Sequence, residues 1–159
     1  MLKFIFGIAI IGFTTFCGYF LAKKYRQKKL FFVQLYDFNE HFLTEIAYYR
    51  RPIKEFISLH SYQGEFNVLL NAFYTGLQDG SFTDLAEYTF LTEEEKRWVM
   101  DYFLMLGKGD SSSQKAFFSA MKDGLTKYKI EAEENCKRYG DLYIKIGFLC
   151  GLLLLILVI

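Results

Sequence analysis

The amino-acid sequence predicts an all-α protein, a membrane-anchored antiparallel helical bundle between two terminal transmembrane helices. Both ends of the chain are apolar and uncharged over long stretches, and the middle is polar with apolar residues at helical spacing. The 159 residues include a single proline, Pro52, which leaves room for long uninterrupted helices. We therefore expect an N-terminal transmembrane helix over 1–22, a cytoplasmic bundle over 23–141 and a C-terminal transmembrane helix over 142–159.

The C-terminal stretch from Ile146 to Ile159 contains no charged residue. As a helix it would be about 21 Å long, short of a hydrocarbon core of about 30 Å. Lys145 can lay its methylene groups along lipid and keep its ammonium at the interface, so the span can begin at Leu142 and reach about 27 Å. The alternative is a buried core helix, but such a helix should show a polar stripe, which this stretch lacks.

The N-terminal stretch from Phe4 to Ala22 is also uncharged, and its length suits a transmembrane helix of about 20 residues. A secretory signal peptide carries its positive charge before the apolar run and a small-residue cleavage site after it. Here only Lys3 precedes the run and the basic cluster follows it. The order predicts an uncleaved anchor.

Basic residues flank both predicted spans on the side of the central domain. They are Lys23, Lys24, Arg26, Lys28, Lys29, Lys137, Arg138 and Lys145. The positive-inside rule therefore puts the central domain in the cytoplasm and both chain ends outside. We expect these side chains to contact anionic lipid headgroups. Once these membrane-flanking cations are set aside, the formal net charge of +1 leaves no basic surface for nucleic acid.

The first span is expected to continue with little or no break into an amphipathic helix that ends at Arg51, before Pro52. Its predicted inner face comprises Phe31, Leu35, Phe38, Phe42, Ile46 and Tyr49, and its outer face Gln34, Asp37, Glu40 and Glu45. Pro52 then opens a short second helix. After a turn at Gln63–Gly64, apolar spacing predicts a third helix from Phe66 to Leu77 that stops at Gly80, and we expect a short helix around 84–88.

Thr92 and Glu95 have the spacing of a capping box, which predicts the start of a helix that runs to Leu106 and ends at a left-handed Gly107. A second capping box, Ser111 with Gln114, is expected to start the last helix, and Asp110 is the alternative cap. That helix should run from about Ser112 to the C-terminus. Its predicted stripe is Phe117, Met121, Leu125, Tyr128, Ala132, Tyr139 and Ile146.

Two stretches are candidate interaction sites. The turn with Gly107, Lys108, Asp110 and Gln114 should lie far from the membrane, where a cytoplasmic partner can dock; the alternative is a purely structural connector. In the last span Gly147 and Gly151 form a G-x-x-x-G pair, which lets another helix approach closely. The partner helix is either the first span, through Thr14 and Gly18, or another subunit, and the alternative is that the glycines have no role.

No motif for chemistry is present. His41 and His60 look isolated, the three glutamates Glu93–Glu95 suit a helix start better than a metal site, and neither span contains a charged residue. We expect no catalytic residue, no cofactor and no metal, and therefore no enzyme.

Two patterns carry a family resemblance. Leu106-Gly107 through Asp110 to Gln114 reads L-G-x-x-D-x-x-x-Q, and Lys137-Arg138-Tyr139 precedes an ending G-F-L-x-G-L-L within Leu142–Leu154. With the apolar ends, these patterns resemble the stage III sporulation protein AB family of endospore-forming Firmicutes over the whole chain. The stretch from Ser58 to Leu91 departs most from the family pattern.

The resemblance implies a sporulation role. The family's cytoplasmic part is similar to the F-type platform protein of type II secretion. Its implied partners are a cytoplasmic secretion ATPase (protein AA) and the membrane subunits of a channel between mother cell and forespore. The expected location is the mother-cell membrane around the forespore, and self-association stays open. The alternative functions are a membrane-anchored receptor or signalling adaptor that binds a soluble partner, and a small enzyme that uses an unrecognised site.

Overall fold

The computed structural model describes the backbone of residues 2–49, 51–79 and 85–158, and the side chains of 7–49, 51–76 and 85–156. Within these ranges the regular structure is entirely helical, so the predicted all-α class is confirmed. The helices are α1 (Leu2–Thr44), α2 (Ile53–Leu59), α3 (Gly64–Asp79), α4 (Glu93–Met105), α5 (Ser111–Asn135) and α6 (Asp141–Val158). Two π-helical turns, Glu45–Tyr49 and Cys136–Gly140, follow α1 and α5.

The chain divides into two compact units, which we call the terminal unit (Met1–Lys29 with Glu131–Ile159) and the central unit (Leu30–Ile130). This division follows the packing of residues within the chain and does not mark where a membrane begins or ends. The expected membrane borders at residues 22 and 142 therefore stay predictions.

The two long helices that the sequence predicts are present. The helix α1 continues from the N-terminal apolar stretch into the amphipathic segment without a break. Helix α5, the second π-helical turn and α6 follow one another without a loop from Ser111 to Val158. The π-helical turns themselves were not predicted, because an i to i+5 hydrogen bond adds one residue to a turn without a distinctive local sequence.

Aromatic rings fill the core of the central unit. Phe38 is fully buried at its centre. Its ring lies 5.4–6.4 Å, centroid to centroid, from those of Phe42, Phe56, Tyr62, Phe66, Tyr102 and Phe103. A buried polar bond joins α1 and α4 in this core, the Tyr102 hydroxyl donating to Asn39 Oδ1 at 2.9 Å. Burial raises the pKa of the Tyr102 phenol, so the hydroxyl keeps its proton and serves as a donor.

The predicted inner face of α1 is correct as far as Ile46 and wrong beyond it. Tyr49 is 61% exposed, whereas Glu45, which we placed on the outer face, is only 5% exposed. The π-helical turn accounts for Tyr49, because it contains more residues per turn than the 3.6 assumed for the stripe and so shifts the residues at its end. Glu45 is the first residue of that turn, and its burial goes with its ion pair to Arg51.

The inner face of α5 is also shifted by one residue at its start. Phe118 is fully buried, while Phe117, which we assigned to the stripe, is half-buried. Phe118 packs edge-to-face against Phe42 and Tyr102, with centroids 4.9 Å away in each case. Leu125 and Ala132 are buried as predicted, and Ile146 is exposed.

The central connections follow the predicted turns in part. Gly64, at φ +63°, begins α3, and the α2 residues Phe56 and Ile57 are buried as expected. The short helix expected around 84–88 is wrong for the described part: Leu85–Leu91 forms successive turns that bury Leu85, Tyr88, Phe90 and Leu91. The expected stop at Gly80 lies outside the described residues.

The capping box at the start of α4 is confirmed. The Glu95 amide donates to Thr92 Oγ1 at 3.3 Å, and the Thr92 amide donates to Glu95 Oε2 at 2.8 Å. These bonds satisfy amides that the first turn of a helix leaves without backbone partners. They also account for the burial of Glu95, which is 5% exposed.

One helical stretch of the described residues, Ser111–Ile156, is long and apolar enough to cross a membrane. Only 11% of its most apolar 18-residue window is buried, whereas the core helix of a soluble protein is mostly buried. The arrangement with two transmembrane helices stays a prediction.

Candidate partner-binding site

The turn between α4 and α5 is shaped by two glycines. Gly107 has φ +76° and Gly109 has φ +83°, both in the left-handed region that favours glycine. The Leu106 amide donates to the Phe103 carbonyl at 3.1 Å and the Lys108 amide to the Met105 carbonyl at 3.2 Å. These bonds satisfy carbonyl groups at the end of α4, and the left-handed Gly107 is confirmed.

Asp110 caps α5. One carboxylate oxygen accepts a bond from the Ser112 hydroxyl, and the other accepts one from the Ser113 amide at 3.4 Å. The Ser112 hydroxyl and then Ser113 lower the pKa of Asp110 to about 2. The expected Ser111–Gln114 box is wrong, because Ser111 is already the first helical residue. The Gln114 side chain instead donates to the Lys108 carbonyl at 3.1 Å.

This turn lines a cleft of about 220 Å³ in the central unit, which we call the turn cleft. Its other walls come from the end of α1, the first π-helical turn and the start of α2. The lining residues are Phe42, Glu45, Ile46, Arg51, Ile53, Gly107, Gly109, Ser111 and Gln114. Two of the predicted docking residues, Gly107 and Gln114, therefore line one cleft, whereas Lys108 and Asp110 are exposed beside it.

Glu45 and Arg51 form an ion pair in the wall of the turn cleft. Arg51 Nε lies 3.4 Å from Glu45 Oε1, and the Arg51 backbone amide donates to the same oxygen at 3.2 Å. The Glu45 side chain is 6% exposed and that of Arg51 33%. The guanidinium carbon lies 4.7 Å from the centroid of the Tyr49 ring. A carboxylate this buried needs such a counter-charge.

A second cleft, of about 300 Å³, shares Glu45 and Arg51 with the first; we call it the histidine cleft. It is lined by His41, Thr44, Glu45, Tyr49, Arg51, Leu59 and His60. This arrangement is not predicted, because apolar spacing puts Glu45 on the outer face and Arg51 is identified only as the residue before Pro52. An ion pair to a residue beyond the end of the helix leaves no signal in the apolar spacing.

The two histidines are not isolated, contrary to the sequence prediction. The rings of His41 and His60 are stacked, with centroids 4.7 Å apart. His41 Nδ1 lies 3.3 Å from the Tyr62 hydroxyl, and His60 Nδ1 lies 3.2 Å from the Phe56 carbonyl. The described residues contain no group of three or more His, Cys, Asp or Glu side chains placed to hold a metal.

In the terminal unit, Gly147 and Gly151 of the last helix lie against Thr14 and Gly18 of the first helix, the residues predicted to pack together. A Cβ atom added to Gly147 would lie 2.6 Å from the Thr14 carbonyl oxygen and 3.3 Å from the Gly18 Cα. One added to Gly18 would lie 2.5 Å from the Tyr143 carbonyl oxygen, and one added to Gly151 would lie 2.5 Å from Thr14 Oγ1. Of the two helices considered, the structure places the chain's own first helix against these glycines. Their part in membrane association stays a prediction.

The predicted membrane-flanking cations are at the surface of the terminal unit. All are exposed except Lys28, which is half-buried. Beside them the Tyr25 ring is stacked on that of Tyr143, 5.8 Å away, and tilted against that of Tyr139, 5.5 Å away, centroid to centroid. Tyrosine beside lysine and arginine is typical of a membrane–water interface. Lipid contact by these residues stays a prediction.

Comparison with known proteins supports one family. The sequence model described as stage III sporulation protein AB matches residues 3–159. No curated protein and no solved structure gives a significant match. Because the match covers nearly all of the sequence, the chain belongs to the stage III sporulation protein AB family.

Proposed function

We propose that this protein is a non-enzymatic membrane platform of the stage III sporulation complex. It spans the mother-cell membrane around the forespore twice and docks a cytoplasmic secretion ATPase to the membrane subunits of the channel. The observation that carries the proposal is the family match over residues 3–159. The surfaces of the two units support its separate parts.

The terminal unit supports membrane insertion. Its large apolar side chains point outward: Phe13, Phe16, Phe20, Leu153 and Ile156 are each 63–74% exposed. Exposed apolar surface is unfavourable in water by about 25 cal/mol per Å². Hydrocarbon removes that penalty, and the exposed cations that follow the first apolar stretch suit the headgroup region. This surface therefore favours two spanning helices with the central unit in the cytoplasm.

The central unit supports partner docking. Its interior is filled with aromatic rings, and the turn cleft and the histidine cleft open at its surface around the α4–α5 turn and the first π-helical turn. Clefts lined by both charged and apolar residues suit protein side chains. A receptor or signalling adaptor would use the same surface, so the identity of the bound partner separates the two functions.

The test is co-purification from sporulating cells with tagged full-length protein. We expect the wild type to recover the ATPase and other complex subunits. Lys108→Glu should reduce both this recovery and sporulation, because it reverses an exposed charge at the turn. It should change the free energy of unfolding by no more than about 0.5 kcal/mol. Lys127→Glu, at an exposed position in the middle of α5, is the matched control and should leave both readouts unchanged.

Recovery of a soluble partner without any ATPase would favour the adaptor function. A wild-type preparation that contains no other sporulation subunit would contradict the platform. Wild-type sporulation with Lys108→Glu and with Ser112→Lys and Ser113→Lys would leave the turn as a helix connector.

A further inference from the structure

We infer that Arg51, held between Glu45 and Tyr49, anchors an acidic segment of a partner protein where the turn cleft and the histidine cleft meet. The inference rests on the proposed docking function, and it adds the chemistry of the partner and the residues that recognise it.

The guanidinium of Arg51 is fixed before any partner binds. Its Nε is paired with Glu45, its central carbon lies 4.7 Å from the centroid of the Tyr49 ring, and its own backbone amide donates to the same Glu45 oxygen. Within the described part of the chain, the two terminal amino groups of Arg51 form no hydrogen bond. A guanidinium held in this way presents two neighbouring donors that match the two oxygens of a carboxylate.

The charges around the clefts favour an anion. Glu45 neutralises Arg51, so the attraction depends on the neighbouring exposed residues. Three exposed lysines are next in sequence to residues that line the turn cleft. They are Lys54, Lys108 and Lys115. The exposed carboxylates in the same segments are Glu55 and Asp110, and Asp110 already accepts bonds from Ser112 and Ser113.

The apolar rim favours a protein segment over a free phosphate or a lipid headgroup. Tyr49 and Leu59, which line the histidine cleft, are 61% and 53% exposed, and Tyr48, next to Tyr49 in the sequence, is 80% exposed. Tyrosine and arginine together are typical of the residues that dominate protein–protein binding energy. Clefts of about 220 and 300 Å³ accommodate single side chains. The occupant that fits is a segment with an Asp or Glu at the shared wall and an apolar residue beside it.

The first experiment maps the occupant in cells. A photo-crosslinking amino acid replaces Tyr48 in the full-length protein during sporulation, and the crosslinked peptide is identified by mass spectrometry. The matched control places it at Val68, an exposed apolar position on α3 that lines neither cleft. We expect position 48, and not position 68, to crosslink to a segment of another protein in which Asp or Glu adjoins the crosslinked residue.

The second experiment tests the carboxylate. The mapped segment is synthesised with its acidic residue and with the corresponding amide, and each peptide is titrated against full-length protein in lipid nanodiscs. The acidic peptide should bind about tenfold more tightly, the factor that corresponds to 1.4 kcal/mol. The double variant Glu45→Gln/Arg51→Gln keeps two polar side chains in the wall without leaving a charge unpaired. It should bind both peptides equally weakly.

If the double variant is unfolded, Tyr48→Ser and Lys54→Glu carry the test, because both alter exposed side chains. Each should weaken the acidic peptide several-fold without changing the melting temperature. Equal binding of the acidic and amide peptides would overturn the inference. So would a crosslinked segment without an acidic residue, a crosslink to a second copy of this chain, or no crosslink from position 48. Crosslinks to a partner from other positions would then still support the proposed function. If no surface position crosslinked to a partner, both the inference about Arg51 and the proposed function would be contradicted.

Discussion

The two units of this protein use the same residue types in opposite ways. In the terminal unit glycines lie at the helix contact and phenylalanines point outward: a Cβ on Gly147 would meet backbone, while Phe16 is 63% exposed. In the central unit phenylalanines fill the interior, and Phe38 is fully buried. Water drives large apolar side chains into a core, but lipid gives them no such drive, so helices in lipid associate through small residues and close backbone contact. The difference therefore supports two different solvents for the two units.

The largest effect should come from the aromatic core of the central unit. Phe118→Ala removes a fully buried ring that packs against Phe42 and Tyr102. We expect it to lower the free energy of unfolding by about 3–5 kcal/mol. Thermal unfolding of the full-length protein in detergent measures the change. The adjacent Phe117→Ala is the control and should have a much smaller effect, because Phe117 is only half-buried. Equal losses would contradict the assignment of Phe118 to the core.

In the terminal unit the corresponding test adds a side chain at a helix contact, whereas Phe118→Ala removes one from a core. Gly147→Ile places carbon atoms against the Thr14 carbonyl and the Gly18 Cα, where backbone cannot move aside easily. Overpacking of this kind costs about 1–3 kcal/mol, so the helices should separate. The readout is a short thiol crosslink between Tyr25→Cys and Tyr139→Cys, introduced after replacement of the natural cysteines. These side chains are neighbours, with ring centroids 5.5 Å apart.

Gly12→Ile is the matched control for that experiment, because a Cβ added at Gly12 meets nothing within 4 Å. The crosslink should fall with Gly147→Ile and persist with Gly12→Ile. If Gly147→Ile crosslinks as well as the wild type, the close helix contact is wrong.

A smaller loss is expected from the cap of α4. Thr92→Ala removes the hydroxyl that accepts the Glu95 amide, and an N-cap of this type contributes about 1 kcal/mol. Thr92→Ser should restore most of the stability, because it keeps the oxygen. Chemical denaturation measures both variants. A loss from Thr92→Ser as large as that from Thr92→Ala would show that the methyl group, rather than the cap, matters.

The smallest effect concerns pH and the cap of α5. The pKa of Asp110 is lowered to about 2 in the folded protein, chiefly by the Ser112 hydroxyl, so folding favours the ionised form. That contribution is present above about pH 4, the ordinary range of an Asp carboxyl, and is lost as the pH falls toward 2. Asp110→Ala should therefore lower the melting temperature by roughly 4 °C at pH 7. The gap from the wild type should narrow between pH 4 and pH 2. A constant gap would mean that the charge of Asp110 does not contribute.

Local signals predicted much of the fold. Thr92 with Glu95, the left-handed Gly107 and the apolar spacing of Phe31 to Ile46 each depend on residues close together in the sequence, so the sequence alone identifies them. The Glu45–Arg51 pair and the stacked His41 and His60 depend on a π-helical turn and on a reversal of the chain. Neither has a local signature. The choice between Phe117 and Phe118 depends on which neighbour α5 meets, and adjacent phenylalanines leave that undecided.

The proposed topology puts the two units in different solvents, with the central unit in the cytoplasm. Labelling of single cysteines with a membrane-impermeant reagent tests it most directly, on intact non-sporulating cells that produce a variant without the natural cysteines, because the outer face of their membrane is open to the reagent. We predict that Lys3→Cys is labelled in intact cells. Lys108→Cys, at an exposed position of the central unit, should be labelled only after the membrane is permeabilised. Labelling of Lys108→Cys in intact cells, with Lys3→Cys protected, would contradict the proposed topology and the cytoplasmic docking that depends on it.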